Sequence, residues 1–231
     1  MKVVAVIQAR MGSTRLRGKT LMKMSKFTLL DTVISSVKRN GFVDDIIIAT
    51  SNNVEDDLIE KHCKMNNISF VRGDSEDVLS RFITVAKNLN FDDVIIRVTA
   101  DNPFNNKFAT EKLYQKHISE RNDYTYVDGL SHIAYEFVNA GTLLKLDSFN
   151  DLESSDREHV TMYIRRNGEL FKNGNIDSSS FNLNPVLDKL LTVDSKNDYL
   201  RFQEMKNEID LDNEVDFETV YKWLRKHESI Q

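Results

Sequence analysis

Strand-like and helix-like runs alternate through the first half of this chain, and that alternation restricts the fold more than any other feature. The apolar run Val3 to Ile7 is followed by Leu29, Leu30, Val33, Ile34 and Val37 at helical spacing, closed by Asn40-Gly41. Ile46 to Thr50 reads as a buried strand, and a helix is expected from about Val54 to Met65 with Leu58, Ile59, His62 and Cys63 facing inward. Ser69-Phe70-Val71 is short and extended. Val78, Leu79, Phe82, Ile83 and Ala86 form another helical stripe, and Val94 to Thr99 is a strand ending at Ala100-Asp101-Asn102-Pro103. Apolar runs of strand length that alternate with 3.6-period stripes build βαβ units, which require a mostly parallel sheet covered by helices on both faces. The expected fold class is therefore α/β, with four strands in residues 1–122.

The pattern changes after residue 122. Tyr124 to Val127 and Ala134 to Val138 read as strands around Asp128-Gly129, a helix is expected over Ala140 to Phe149, and a second is expected through Arg157 to Asn167. Asn182 to Pro185 reads as a loop. Leu190 to Val193 reads as a strand that returns to the main sheet and carries Asp194 at its end. The tail is helical, with apolar stripes Leu200, Phe202, Met205, Ile209 and Val215, Phe217, Val220, Tyr221, Leu224, and Trp223 reads as packing. We divide the chain into a first half (1–122), a small inserted β/α subregion (123–185) and a closing segment (186–231), all within one domain. At 231 residues such a domain buries a sizeable core.

Directly after the first strand comes Gln8-Ala9-Arg10-Met11-Gly12-Ser13-Thr14-Arg15-Leu16-Arg17-Gly18-Lys19, with two glycines, two hydroxyls, three arginines and a lysine in twelve positions. Glycines let the backbone approach an anion, and guanidinium and ammonium groups neutralise charge that amide dipoles alone do not. The stretch also reads as a strand followed by a solvated basic turn, but its density of donors favours a polyanion receptor. Neither G-x-x-x-x-G-K-[ST] nor G-x-G-x-x-G occurs. The net charge is −5, from 36 acidic and 31 basic residues, so this local cluster points to a small phosphorylated ligand and away from nucleic acid. A lone cysteine, Cys63, excludes an internal disulfide, and no segment approaches the roughly 20 apolar residues of a membrane span. A reduced, cytoplasmic setting without membrane contact is expected.

Ligands of doubly wound sheets sit beyond the carboxyl ends of the strands, so the basic loop and the Asp101 loop are expected to meet around one nucleotide. By two-residue alternation Arg97, Thr99 and Asp101 share a face. Asp101 and Asp194, two strand-end acids on one edge, would supply a divalent-ion site. Each acid taken alone reads equally as a turn or helix cap.

The basic loop resembles the amino-terminal signature I-x-A-R-x-G-S-x-R-L-x-G-K of the sugar cytidylyltransferases (acylneuraminate and CMP-Kdo synthetase-like), through Ile7, Ala9, Arg10, Gly12, Ser13, Arg15, Leu16, Gly18 and Lys19. Arg17 stands where that family commonly has proline. Arg97 to Pro103 is similar to the family's h-R-x-T-x-D-x-P stretch, and Leu191 to Asp198 to its L-T-V-D-x-x-x-D. Arg72 to Phe82 resembles R-G-x-x-x-D-V-L-x-R-h, and Glu158-His159-Val160-Thr161 resembles the E-H-V-T of the spore coat polysaccharide F-type branch. With Ala49-Thr50-Ser51 and Asp56-Asp57, the likeness runs through about 200 residues.

The resemblance implies a Rossmann-like, nucleotide-diphospho-sugar transferase (GT-A-like) fold and an Mg²⁺-dependent transfer of CMP from CTP to an acidic sugar or related small acceptor, with release of pyrophosphate. It further implies a homodimer. Arg10, Arg15, Lys19 and Asp101 are then the catalytic candidates, and Asp101 and Asp194 the metal ligands. Ala9, Arg10, Met11, Gly12, Ser13, Arg15 and Lys19 would hold the nucleotide, together with Thr50, Ser51, Arg72 and Asp77. Arg97, Glu136, Glu158 and His159 would face the acceptor; His159 also reads as helix packing and Glu136 as a solvent-facing edge position. Two rivals remain from the sequence. A GT-A-type glycosyltransferase would use a preformed nucleotide sugar, but the single D-x-D, Asp210-Leu211-Asp212, lies in the tail. An inactive nucleotide-binding regulatory protein would have no need of Arg10, Arg15, Lys19, Asp101 and Asp194 together.

Overall fold

The computed structural model describes residues 1–130, 132–181, 185–211 and 217–227. The chain runs β1 (Val3–Gln8), α1 (Leu29–Lys38), β2 (Asp45–Ser51), α2 (Asp57–Met65), β3 (Ser69–Gly73), α3 (Val78–Ala86), β4 (Val94–Thr99) and α4 (Lys107–Glu120). It continues through β5 (Tyr124–Asp128), β6 (Glu136–Asn139), α5 (Ala140–Leu146), α6 (Ser154–His159), α7 (Met162–Arg166), β7 (Asn173–Asp177), α8 (Pro185–Leu190), α9 (Lys196–Met205) and α10 (Phe217–His227). The strands join one sheet in the order β3-β2-β1-β4-β6-β5-β7. Every pairing is parallel except those of β6, which is antiparallel to β4 and β5. The expected α/β class is the observed one, and β5, β6 and β7 of the 123–185 segment extend the same sheet.

The central strands are apolar at most positions because helices cover both faces. Val3, Ala5 and Ile7 of β1, with Val94, Ile96 and Val98 of β4, point into a cluster closed by α1, α2, α4, α9 and α10. Val4, Val6 and Ile95 point to the opposite face, under α3, α5 and α7. Each of these valines and isoleucines contributes about 1.5–3 kcal/mol on leaving water. The helices start where short side chains supply a missing acceptor: Thr28 and Asp31 form a reciprocal capping box for α1, Asp77 caps α3 and Asn106 caps α4. No helix among the described residues is long and apolar enough to cross a membrane.

Five local expectations differ from the structure. Leu190 to Val193 is not a strand: Leu190 ends α8, and Leu191 to Val193 pass as a turn and extended chain. The edge of β4 it would have joined is occupied by β6, with Arg97 opposite Glu136. Leu191 and Val193 are instead buried in the first cluster, and Val193 N–H donates to the Asp101 carbonyl at 2.9 Å. The helix expected over Arg157 to Asn167 is broken into α6 and α7 by Val160, at φ +59°. The strand expected from Ala134 begins only at Glu136, and the helix from Ala140 ends at Leu146. Leu58 and Leu200, placed inward by periodicity, are exposed. Ile59, Cys63, Phe202 and Met205 carry those helix contacts, and Trp223 is buried as packing. Val215 and most of the Asn182 to Pro185 loop lie outside the described residues, and Pro185 begins α8.

Candidate active site

β1 and β4 run side by side with Gln8 opposite Thr99, so the loops that follow them leave the sheet together. The loop after β1 folds on itself. The Met11 carbonyl accepts from Ser13 N–H and Gly18 N–H, both at 2.9 Å, and the Thr20 hydroxyl donates to the Arg10 carbonyl at 2.8 Å. Gly18 sits at φ +76°, a left-handed turn that favours glycine, and it starts the short 3₁₀ turn carrying Lys19. Buried Asp56 pins this loop to β2: one carboxylate oxygen accepts from Met11 N–H at 2.6 Å, and the other from the Ser51 amide and hydroxyl.

Lys19 is the centre of the arrangement. Its ammonium, 8% exposed as a residue, lies 2.8 Å from an oxygen of Asp101 and 2.8 Å from an oxygen of Asp194. Arg15 reaches the second oxygen of Asp194 at 2.9 Å. Residues 82 and 175 positions downstream of the lysine thus converge on one nitrogen. Burial works to raise the Asp101 pKa, but the Lys19 ammonium, helped by Thr99 and the residue's own backbone, outweighs it and holds the carboxyl below the ordinary aspartate range. Asp194 reaches this point because α9 begins two residues later, where its cap Ser195 and Asp198 form a capping box and Asp198 also accepts from Asp194 N–H.

These groups line a cleft of about 290 Å³ at the carboxyl end of the sheet. Of the residues expected in the site, Ala9, Arg10, Ser13, Arg15 and Lys19 line it from the loop. Asp101, Asp194, Glu158 and His159 line it from elsewhere in the chain. Glu158 and His159 enter from the end of α6. There Val160, at φ +59° and ψ −56°, is the centre of a γ-turn in which Thr161 N–H donates to the His159 carbonyl at 2.6 Å. Val160 is itself fully buried in the second cluster.

The remaining expected residues occupy other positions. Met11 and Gly12 belong to the loop but do not line the cleft. The Ser13 amide is used inside the loop, so the side chains are the principal anion ligands there. Thr50 and Ser51 are fully buried, and Ser51 acts on the loop through Asp56. Arg72 donates to the Ser51 and Asn53 carbonyls at 2.9 and 3.0 Å and pairs with Asp57 and Glu60. Its hydrogen bonds with Asp57 and Glu60 raise its pKa against the effect of burial. Asp77 caps α3 through Ser80 N–H and pairs with Arg157 of α6 at 2.8 Å, joining the two walls of the cleft. Arg97 donates to Gln8 and Glu136. Glu136 also accepts from Thr161 at 2.7 Å and Arg165 at 2.8 Å. Glu136 is thus an interior tie between sheet and γ-turn, not a solvent-facing edge residue.

Sequence reasoning missed Arg81, which lines the cleft from α3, and Gln8, Thr14, Thr20 and Thr99, which complete its floor and rim. It also missed Asp56 as the loop's anchor. The signal for Arg81 was present: an arginine on the apolar stripe of a strongly amphipathic helix has no solvated face to occupy.

Residues 4–227 match the cytidylyltransferase family. The chain is 37% identical over 202 residues to the spore coat polysaccharide biosynthesis protein SpsF of Bacillus subtilis (strain 168), covering 85% of this chain and 83% of that protein. Its fold superimposes on a cytidylyltransferase from Leptospira borgpetersenii serovar Hardjo-bovis with a TM-score of 0.83 at 26% identity, covering 98% of this chain and 94% of that one. It also superimposes on a CMP:2-keto-3-deoxy-manno-octonic acid synthetase complexed with CTP, with a TM-score of 0.67 at 14% identity over 90% of this chain and all of the other.

Proposed function

Because this chain belongs to the cytidylyltransferase family, we propose that its cleft takes CTP and an acidic sugar or related small acceptor, transfers CMP to the acceptor and releases pyrophosphate. The observation that carries this reading is the convergence of Lys19, Asp101, Asp194 and Arg15 at one point beside the basic loop. An acceptor oxygen attacks the α-phosphorus in line, and the bond to the β-phosphate bridging oxygen breaks. Negative charge collects on the departing pyrophosphate, so cations fixed beforehand stabilise the transition state more than the ground state. Arg10, Arg15 and Lys19 would hold the phosphates. Glu158 and His159, on the opposite wall, face the acceptor, where a histidine would orient or accept the hydroxyl proton.

Among the described residues no three His, Cys, Asp or Glu side chains converge as metal ligands. Two carboxylates that already share one cation nonetheless suit Mg²⁺, which takes hard oxygen donors and is commonly held by one or two carboxylates plus substrate phosphates. Asp101 and Asp194 would hold it. When bound, such an ion neutralises phosphate charge and favours deprotonation of a nearby nucleophile.

The test is pyrophosphate release from each nucleoside triphosphate with Mg²⁺ against nonulosonic acids, other sugars and phosphonates. Release is expected with CTP and one acidic acceptor class. Binding of CTP without turnover across the panel, or sugar transfer from a nucleotide sugar, would overturn the assignment.

A further inference from the structure

Arg81 is the one arginine on the inner stripe of α3, and it is 2% exposed. Its Nε and Nη1 are shut off from solvent without a hydrogen-bond partner among the described residues. The same residue lines the cleft, as do Ala9, Arg10 and Val78. Buried guanidinium groups are ordinarily paired, because each unmet donor costs about 1–3 kcal/mol or more. The fold makes deliberate room for this one: a Cβ on Gly73, at the end of β3, would stand 2.8 Å from Arg81 Cγ. Glycine at that position lets the side chain run beneath the strand end into the cleft.

What Arg81 lacks is hydrogen-bond acceptors. Burial and Arg10 weaken its charged form, while Asp56, Asp74 and Asp77 favour it. Those carboxylates are engaged elsewhere: Asp56 by Met11 and Ser51, Asp74 by the amides of Glu76 and Asp77, and Asp77 by Ser80 and Arg157. A group that presents adjacent acceptors would satisfy it. Arg81 also stands on a different element from the Lys19 cluster. Lys19, Asp101 and Asp194 gather beyond β1 and β4, whereas α3 packs chiefly on β3 and also touches β2 and β1.

We infer that Arg81 reads the nucleobase, its planar fork donating to the adjacent O2 and N3 acceptors of cytosine while the base lies against Val78. This rests on the CTP reading above and deepens it. Uracil presents an N3–H donor at the same place, which opposes a guanidinium. Guanine offers a comparable acceptor pair at O6 and N7, and family membership selects the pyrimidine. Arg81 is thus a specificity-determining residue for CTP over UTP.

Calorimetric binding of CTP, UTP and tripolyphosphate with Mg²⁺, in the absence of acceptor, tests the assignment. Wild-type protein is expected to prefer CTP over UTP. Arg81→Met is expected to weaken CTP by about 10- to 100-fold and to collapse the CTP-to-UTP ratio, with tripolyphosphate unchanged. Gly73→Ala, which keeps the whole Arg81 side chain but forces its Cγ to shift, is expected to move the ratio the same way by a smaller factor. If Arg81→Met lowers the yield of folded protein, Arg81→Lys and Gly73→Ala provide the same comparison. An unchanged ratio in the folded variants overturns the inference, as does an equal loss for tripolyphosphate, which would make Arg81 a phosphate ligand. Wild-type protein that binds tripolyphosphate but neither nucleotide overturns the CTP reading itself.

Discussion

Lys19 shows how one residue takes two roles. As a member of a basic loop it is an anion ligand; in the folded chain it is also the cation that lets Asp101 and Asp194 approach each other. Removing it leaves two partly buried carboxylates facing one another, with Asp101 stripped of its ion-pair partner and Arg15 left on Asp194 alone. Lys19→Ala is therefore expected to lower turnover by about 10²- to 10³-fold, the loss typical of one preorganised electrostatic group. It is also expected to destabilise the fold by roughly 1–3 kcal/mol. Pyrophosphate release and urea titration, run on the same preparation, check both. Near-wild-type turnover would remove the lysine from the reaction, and unchanged stability would remove it from the acid pair.

At the scale of elements, the break between α6 and α7 matters most for the site. A continuous helix through Arg157 to Asn167 is what the residue pattern favours, and a valine at φ +59° costs about 1–3 kcal/mol. Two contacts hold the break: Val160 is buried in the core, and Thr161 donates to Glu136, which also ties Arg97 of β4 and Arg165 of α7. Burial tends to raise the Glu136 pKa, but Arg97 and Arg165, with Thr161, overcome it and hold the carboxyl below its ordinary value of 4.5. Because the folded-state pKa is the lower one, this carboxylate stabilises the protein fully above pH 4.5, and the contribution is lost as pH falls through the depressed value. Glu136→Gln is expected to cost roughly 3 kcal/mol at neutral pH and to flatten the decline of stability below pH 4.5. Denaturation midpoints at pH 7 and through the acid range measure this; an acid limb as steep as that of the wild type would assign it to other carboxylates.

On the scale of the molecule, one sheet supports two apolar clusters whose strand residues alternate between faces, so neither cluster loosens without disturbing the other. Phe202, fully buried and tilted against Phe104 at 5.4 Å between ring centroids, joins α9 to the chain just beyond the Asp101 turn. Phe202→Ala is expected to cost about 3–5 kcal/mol. Loss of native fluorescence and loss of far-ultraviolet dichroism are expected to coincide in urea. Separate transitions would show that the carboxyl-terminal helices fold as an independent unit.

Much of this was legible without coordinates, for reasons that belong to particular residues. Val3 to Ile7, Ile46 to Ala49 and Val94 to Ile96 are apolar at successive positions, and a strand covered on both faces accommodates that. Arg10, Arg15 and Lys19 advertise an anion because like charges do not crowd a loop without a counterpart. What escaped were matters of long-range choice. Leu190 to Val193 has strand composition, but β6 takes the edge it would have joined. Arg97 and Glu136 look like site residues until their pairing across β4 and β6 turns them inward. Arg81 looks like any helical arginine until the bare backbone of Gly73 admits it to the cleft. Local composition determined the sheet and the charge of its opening loop, since both depend on neighbours along the chain. Which acids met Lys19, and which arginine was left with open donors, was decided by tertiary structure, because a hydrogen bond is settled by distance in space.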